Sequence, residues 1–141
     1  MIIILDVNIL LSAMIKDSRT RKIILTSEQE FYFPEKSLEK IRKYKDYIQK
    51  KSGLSDSDFM SLFNALMMSI KIIPNEELLD NWDKAKTIME SIDPEDIAFI
   101  AAALSKEDSI IWSDDKHFDK QKIINAFKTK ELINLFENIK E

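Results

Sequence analysis

The sequence contains no cysteine, one histidine and one glycine among its 141 residues. Without cysteine, the chain forms no disulfide bond, no thiolate metal site and no thiol nucleophile. A single glycine excludes the glycine-rich loops that bind phosphates or dinucleotides, and a single histidine excludes sites built from paired histidines. Polar catalysis by this chain therefore has to rest on carboxylates, amides, hydroxyls and amines.

The sequence also has little that would direct it to a membrane. No apolar run approaches the roughly 18 residues that a membrane-spanning helix needs. The first apolar run has no basic leader before it, so no signal peptide is recognised. The length is that of one domain with a single sizeable core. We therefore expect one domain over residues 1–141, located in the cytoplasm and not associated with a membrane.

Charge of the two signs is unevenly distributed along the chain, although the net charge is only -4. Residues 1–51 contain 11 Lys and Arg against 7 Asp and Glu, whereas residues 52–141 contain 10 against 18. Basic residues are densest between Lys36 and Lys51. Such a run is ordinarily a solvated helix face. It can also supply phosphate contacts where it borders a cleft, and the sequence leaves both interpretations open.

Short apolar segments alternate with helical patterns along the chain. The predicted strands cover residues 1–5, 30–33, 71–73, 109–112 and 123–127. The predicted helices cover residues 8–15, 20–26, a long stretch from Pro34 to Gly53, 56–70, 75–91, 94–106 and 130–139. This alternation predicts an α/β protein, a three-layer α/β/α sandwich with a mainly parallel sheet of about four or five strands.

Polar side chains fall where two of these strands end. Asp6 and Asn8 follow the first strand, and Asp114 and Asp115 come shortly after the fourth. Asp96 lies in the first turn of the helix at residues 94–106, just after a strong start signal in which Asp93 precedes a proline. In a parallel sheet the carboxyl ends of the strands share one edge, which is where sites of such sheets lie. We expect these carboxylates to converge there.

Each of these acids, taken alone, has an ordinary explanation in turn or helix-start chemistry. Together they would repel one another and lose their protons reluctantly. A hard divalent cation such as Mg²⁺ or Mn²⁺ relieves that repulsion, because such ions prefer oxygen ligands. The usual reaction of such a centre is metal-assisted hydrolysis of a phosphodiester.

Three segments in this order resemble the motifs of the PIN domain family, metal-dependent nucleases that include the VapC-type toxins of toxin–antitoxin pairs. The segments are LDVNILLSA at 5–13, DPEDIAFIAAAL at 93–104 and SDDKHF at 113–118. The resemblance covers essentially the whole chain. It implies that the metal ligands are Asp6, Asp96 and Asp115, and that Asn8 and Ser113 are supporting polar residues. It also implies that Phe118 is an apolar anchor and that Asp114 occupies a variable position.

One position departs from the family pattern. The family's second acid, usually a Glu on the helix after the second strand, corresponds here to Lys40. A local shift would let Glu39, or Glu35, take its place. Alternatively, Lys40 contributes an ammonium beside a three-acid, one-metal centre. In the third alternative catalysis is impaired, and the protein binds RNA without cutting it.

The sequence allows more than one interpretation of some other residues. His117, the only histidine, is expected to be an ordinary exposed loop residue rather than a general base. Trp112 is expected to pack in the core. The apolar excess on the helix at 56–70, with Met60 and Met68 among its residues, is either core or a surface for self-association or antitoxin binding.

The resemblance implies a divalent-metal-dependent endoribonuclease, with Mg²⁺ or Mn²⁺ as cofactor and single-stranded or looped RNA as substrate. It further implies a homodimer and an antitoxin partner, as for the toxin of a toxin–antitoxin pair. The alternative function is a catalytically impaired PIN-fold module that binds RNA or protein. A phosphatase or phospho-acceptor domain is disfavoured, because the common phosphatase pattern requires an acid where this chain has Asn8.

Overall fold

The computed structural model describes residues 1–16 and 19–140, which contain a five-stranded parallel sheet of strand order β3-β2-β1-β4-β5. The central strand β1 pairs with β2 on one side and with β4 on the other. The strands are β1 (Ile2–Leu5), β2 (Glu30–Pro34), β3 (Ile70–Ile73), β4 (Ile110–Trp112) and β5 (Ala126–Phe127). The continuous apolar sequence of β1 and β4 follows from this arrangement, because helices cover both faces of the sheet.

Two groups of helices enclose the sheet. Helices α1 to α5 contact one another, whereas α6, α7 and α8 pack together, with α8 lying against β1, β2 and β4. The helices are α1 (Val7–Ile15), α2 (Arg19–Thr26), α3 (Leu38–Lys43), α4 (Lys45–Ser52), α5 (Asp56–Met68), α6 (Asn75–Leu79), α7 (Trp82–Met89), α8 (Ile97–Leu104) and α9 (Thr129–Lys140). The predicted three-layer α/β sandwich is confirmed. Within the described residues, no helix is both long and apolar enough to cross a membrane.

Helix α8 is the most deeply buried helix element of the fold. Every residue from 97 to 103 is buried, and four of these seven are alanines. Small side chains let the helix axis approach the sheet closely, while Phe99 fills the space between Phe33 and Phe118. The start of α8 is thereby held at the carboxyl ends of the central strands.

Two predicted helices are each divided into two. The stretch after Pro34 begins with a 3₁₀ turn at Glu35–Ser37 and then breaks at Tyr44, whose φ of -95° and ψ of 8° are not helical. The stretch at 75–91 breaks at residues 80–81, where Asp and Asn are typical turn residues. The break at Tyr44 could not be predicted from the sequence, because apolar residues keep their helical spacing across it. The predicted end at Gly53 is confirmed, with a left-handed φ of 75°.

The last strand is shorter than predicted because a buried side chain binds the backbone that precedes it. Gln121 accepts hydrogen bonds from the backbone N–H groups of Ile123 and Ile124 and donates to the carbonyls of Phe118 and Ile124. These contacts hold the residues before β5 in a tight turn. Only Ala126 and Phe127 pair with β4, so the predicted strand over 123–127 is wrong for its first three residues.

Candidate functional site

A cleft of about 480 Å³ opens where β1 and β4 end. Its polar lining is dominated by carboxylates, to which one lysine, one asparagine and two tyrosines are added. The lining residues are Asp6, Val7, Asn8, Leu11, Lys40, Tyr44, Tyr47, Asp93, Glu95, Asp96 and Asp115. The structure therefore brings together Asp6, Asp96 and Asp115, whereas Asp114, which was also expected there, does not line the cleft.

Asp6 and Ser113 are joined by the register of the central strands. Leu5 pairs with Trp112, and the next N–H along, that of Asp6, donates to the Trp112 carbonyl at 3.1 Å. Asp6 and Ser113 consequently lie side by side, both buried, and the Ser113 hydroxyl donates to Asp6 Oδ2 at 2.7 Å. The same hydroxyl oxygen accepts from the Asp115 N–H at 3.0 Å. One serine therefore connects the acid after β1 to the acid after β4.

Asp96 reaches the cleft from the beginning of α8. Asp93 and Pro94 start a 3₁₀ turn, in which Asp93 Oδ1 accepts from the Glu95 N–H at 3.0 Å. This turn ends at Asp96, which is only 8% exposed and occupies the N-cap position of α8. The partial positive charge at a helix N-terminus favours a carboxylate there.

His117 lies among the acids rather than in an ordinary loop. Its Nδ1 lies 3.0 Å from Asp93 Oδ2, 3.4 Å from Asp96 Oδ2 and 3.2 Å from Asp115 Oδ1. The backbone N–H of His117 donates to Asp115 Oδ1 at 2.9 Å, which holds the residue beside Asp115. The expectation of an ordinary exposed loop histidine is therefore wrong. The backbone turn at Asp115 decides the position of the ring, and the sequence shows only that the two residues are close.

Burial and mutual repulsion make two of these carboxylates, Asp6 and Asp96, reluctant to ionise. Burial is the largest cause that raises the pKa of Asp6, and the hydrogen bond from Ser113 only partly opposes it. Burial, followed by the charges of Asp6 and Asp93, raises the pKa of Asp96 to about 7. A bound cation would reverse this tendency, because it favours the ionised form of every acid around it.

The donor set fits a divalent cation. Asp96 Oδ2 and His117 Nδ1 are buried with no hydrogen-bond partner among the described residues. Asp93, Asp96 and His117 each offer an atom within 4.8 Å of the others. An unsatisfied buried oxygen beside further carboxylates is the environment that a metal ion completes.

The lysine at the position of the family's second acid also faces the cleft. Lys40 lines it and makes an ion pair with Glu95, with 3.5 Å between Nζ and Oε2. Glu39 is exposed and is not among the lining residues. Glu35 accepts from the Asn75 N–H at 3.0 Å, which ties it to the start of α6. The structure therefore places Lys40 in the cleft, whereas Glu39 and Glu35 are not among its lining residues.

The remaining residues of the motifs have separate positions. Asn8 is exposed on the first turn of α1 and lines the cleft. Asp114 turns away and accepts from both the N–H and the hydroxyl of Thr129, so that it caps α9. Phe118 is buried against Phe99. Trp112 is fully buried, as expected.

Two tyrosines that sequence analysis did not single out stand at the rim of the cleft. Tyr44 is 39% exposed and Tyr47 is 50% exposed. Lys43 and Lys51 each lie with Nζ 5.9 Å from the centre of one of these rings. A second hollow of about 340 Å³ shares Asn8, Leu11 and Tyr47 with the cleft and is lined in addition by Ser12, Ile15 and Lys16. The two together form a groove along α1.

A family model described as PIN domain matches residues 4–134. No curated protein matches the chain significantly.

Proposed function

Because the chain belongs to the PIN domain family, whose members are generally nucleases, we propose that it is a divalent-metal-dependent endoribonuclease that hydrolyses RNA phosphodiester bonds. The observation that carries this proposal is the group of buried carboxylates at the carboxyl edge of the sheet, which includes an oxygen without a hydrogen-bond partner. This group opens into a groove that has aromatic and cationic side chains at its rim.

Asp6, Asp96 and Asp115 would hold Mg²⁺ or Mn²⁺. When bound, such an ion supplies an activated water and offsets the charge on the leaving oxygen. The protein's part is to keep the three carboxylates ionised and correctly oriented. Ser113 does this for Asp6 through its hydroxyl, and the backbone turn at residues 113–115 does it for Asp115. Such supporting hydrogen bonds commonly set metal affinity and activity.

Lys40 provides a positive charge where the family usually has its second acid. With three acids and one ammonium, the centre suits a single metal ion better than two. The Lys40 ammonium would contact a non-bridging oxygen of the scissile phosphate, and the pair with Glu95 holds it over the cleft until RNA binds. Asn8 would hydrogen-bond the substrate from its exposed position on α1.

Single-stranded or looped RNA is the substrate that fits the groove. Unpaired bases stack on exposed aromatic rings such as Tyr44 and Tyr47, and the backbone follows positive charge. Two lysines of the basic run between Lys36 and Lys51, Lys43 and Lys51, lie beside these rings. Because the rest of the chain is acidic, binding outside the groove should be weak.

The family resemblance also supports a toxin role, with a homodimer and an antitoxin as partners. Helix α5 is the surface that we assign to one of these contacts, since Met68 is 90% exposed and Met60 is also exposed. Light scattering of the wild type and of Met68→Lys tests this assignment: a dimer that the substitution dissociates supports it. A monomer at all concentrations would leave only the antitoxin as occupant.

A PIN-fold module that binds RNA or protein without cutting is the second candidate function. The observation in its favour is Lys40, because a missing acid weakens metal binding. It predicts retained RNA or partner binding with no metal-dependent cleavage.

The test is cleavage of a labelled single-stranded RNA in Mg²⁺, Mn²⁺ or EDTA. We expect cleavage that requires metal and that Asp6→Asn and Asp115→Asn each reduce by on the order of 100-fold or more. Asp83→Asn, an exposed carboxylate on α7, is the matched control and should cut like the wild type. Binding of RNA without cleavage by the folded wild type would favour the second candidate, and neither binding nor cleavage would overturn both the nuclease and the RNA-binding module.

A further inference from the structure

Three carboxylate oxygens lie close to one ring nitrogen beside the cleft. His117 Nδ1 lies 3.0, 3.4 and 3.2 Å from single oxygens of Asp93, Asp96 and Asp115. The family motifs place ligands at Asp96 and Asp115 but assign no role to Asp93 or His117. The imidazole therefore adds a nitrogen donor to a group of oxygen donors.

Neither His117 Nδ1 nor Asp96 Oδ2 has a hydrogen-bond partner among the described residues, although both are buried. Two ligands on one ion with bonds of about 2.1 Å lie about 3.0 Å apart at a right angle and about 3.4 Å apart at the tetrahedral angle. The three separations fall in the range that a shared metal ion produces.

Hydrogen bonds from nearby backbone N–H groups hold these residues in place and leave other ligand atoms of the same residues available. Asp93 gives Oδ1 to the Glu95 N–H, which leaves Oδ2 directed at the ring. Asp115 accepts from the His117 N–H, which fixes where the ring begins. Asp96 is only 8% exposed, and its Oδ2 is shielded from water. The site is built by the fold and does not depend on flexible surface side chains.

We propose that Asp93, Asp96 and His117 form a nitrogen-containing metal site that binds a borderline transition ion such as Zn²⁺ in preference to Mg²⁺. Imidazole suits Zn²⁺ and its neighbours in the first transition row, whereas Mg²⁺ prefers oxygen and water. This inference deepens and rests on the proposed function, because Asp96 also belongs to the nuclease centre. The test of this inference measures metal binding. The inference can therefore fail while RNA cleavage is observed, and it can hold while no cleavage is observed.

The alternative occupant of this position is the proton. A protonated imidazole would itself act as the cation among the three acids and would exclude a metal. The two cases give opposite results when Zn²⁺ is added.

NMR of the imidazole decides between them, because the chain has one histidine and its ring signals need no assignment. The protein is prepared without a polyhistidine tag, uniformly labelled with ¹⁵N, and titrated with Zn²⁺ or Mg²⁺. We expect one equivalent of Zn²⁺ to shift the Nδ1 resonance and to leave the proton on Nε2, whereas Mg²⁺ leaves the ring signals in place. Zn²⁺ bound at one equivalent with unchanged ring signals would overturn the proposal.

Calorimetric titration of variants gives the second readout. His117→Asn places an amide oxygen near the position of Nδ1, so Zn²⁺ affinity should fall at least roughly tenfold, while Mg²⁺ affinity changes little. Asp93→Asn should also weaken Zn²⁺ binding. Lys116→Ala, in the same turn with an exposed side chain, is the matched control and should bind Zn²⁺ like the wild type. Circular dichroism of each variant shows that it is folded, and equal loss of both ions in His117→Asn would overturn the selectivity.

Discussion

Ser113 and Asp6 are 107 positions apart in the chain, yet the serine hydroxyl donates a 2.7 Å hydrogen bond to the Asp6 carboxylate. The pairing of β1 with β4 creates this contact, and both residues are buried. The proposed metal centre thus depends on the register of two strands. A shift of one residue would separate its two halves.

Removal of the Ser113 hydroxyl should reduce metal affinity and cleavage more than it reduces the stability of the fold. In Ser113→Ala, Asp6 Oδ2 loses its donor, and we expect metal affinity and cleavage to fall by about 10- to 100-fold. The loss in the free energy of unfolding should be about 1–3 kcal/mol. Ser113→Thr keeps the hydroxyl and should retain most activity. Calorimetry and cleavage kinetics on the two variants provide the check, and equal defects in both would argue that packing, not the hydroxyl, matters.

Lys40 and Glu39 are adjacent in sequence, but their substitutions should have different effects on RNA cleavage. Lys40→Met removes the ammonium from the cleft, and cleavage should fall by about 10-fold or more through loss of a phosphate contact. Glu39→Gln alters an exposed side chain outside the cleft and should cut at the wild-type rate. Cleavage rates at saturating metal distinguish the two. A loss in Glu39→Gln as large as that in Asp6→Asn would show that Glu39 acts as the second acid.

The tyrosines at the rim should contribute to RNA affinity through their rings. Tyr44→Ala and Tyr47→Ala should each weaken binding of single-stranded RNA by about 1–3 kcal/mol. The matched variants Tyr44→Phe and Tyr47→Phe keep the ring and should bind like the wild type. Fluorescence anisotropy in EDTA measures binding without cleavage. Loss in the Phe variants as well would point to a role of the hydroxyl groups.

Stability of the metal-free protein should fall as pH rises. Burial raises the pKa of Asp96 to about 7, and that of Asp6 is raised also, relative to an unfolded value of 3.8. Between these values the folded state binds more protons than the unfolded state, so the free energy of unfolding decreases with increasing pH. From pH 5 to pH 8 the decrease is on the order of 2 kcal/mol.

Thermal unfolding in EDTA at several pH values measures this dependence. Asp96→Asn cannot titrate and should show a flatter profile than the wild type. Added Mn²⁺ should raise the midpoint at pH 8 more than at pH 5, because the ion binds the ionised acids. A wild-type profile that matches that of Asp96→Asn would contradict the raised pKa.

Local signals in the sequence were sufficient for the architecture and for the edge at which the site lies. The apolar runs of β1 and β4, the Asp93-Pro94 start and the Gly53 end depend on neighbouring residues alone. The convergence of Asp6, Asp96 and Asp115 follows from parallel topology, since parallel strands end at one edge. All three line the cleft.

Tertiary structure alone decided which side chains face that cleft. Lys40 enters it and Glu39 does not, because the direction of a helical side chain depends on how α3 packs. The ring of His117 meets Asp93 only because α8 and the turn after β4 are held together across the sheet. Gln121 shortens β5 through contacts between the side chain and the backbone that no periodicity reveals. Sequence pattern determines elements and their order through short-range forces, whereas the chemistry of this site depends on orientations set by long-range packing.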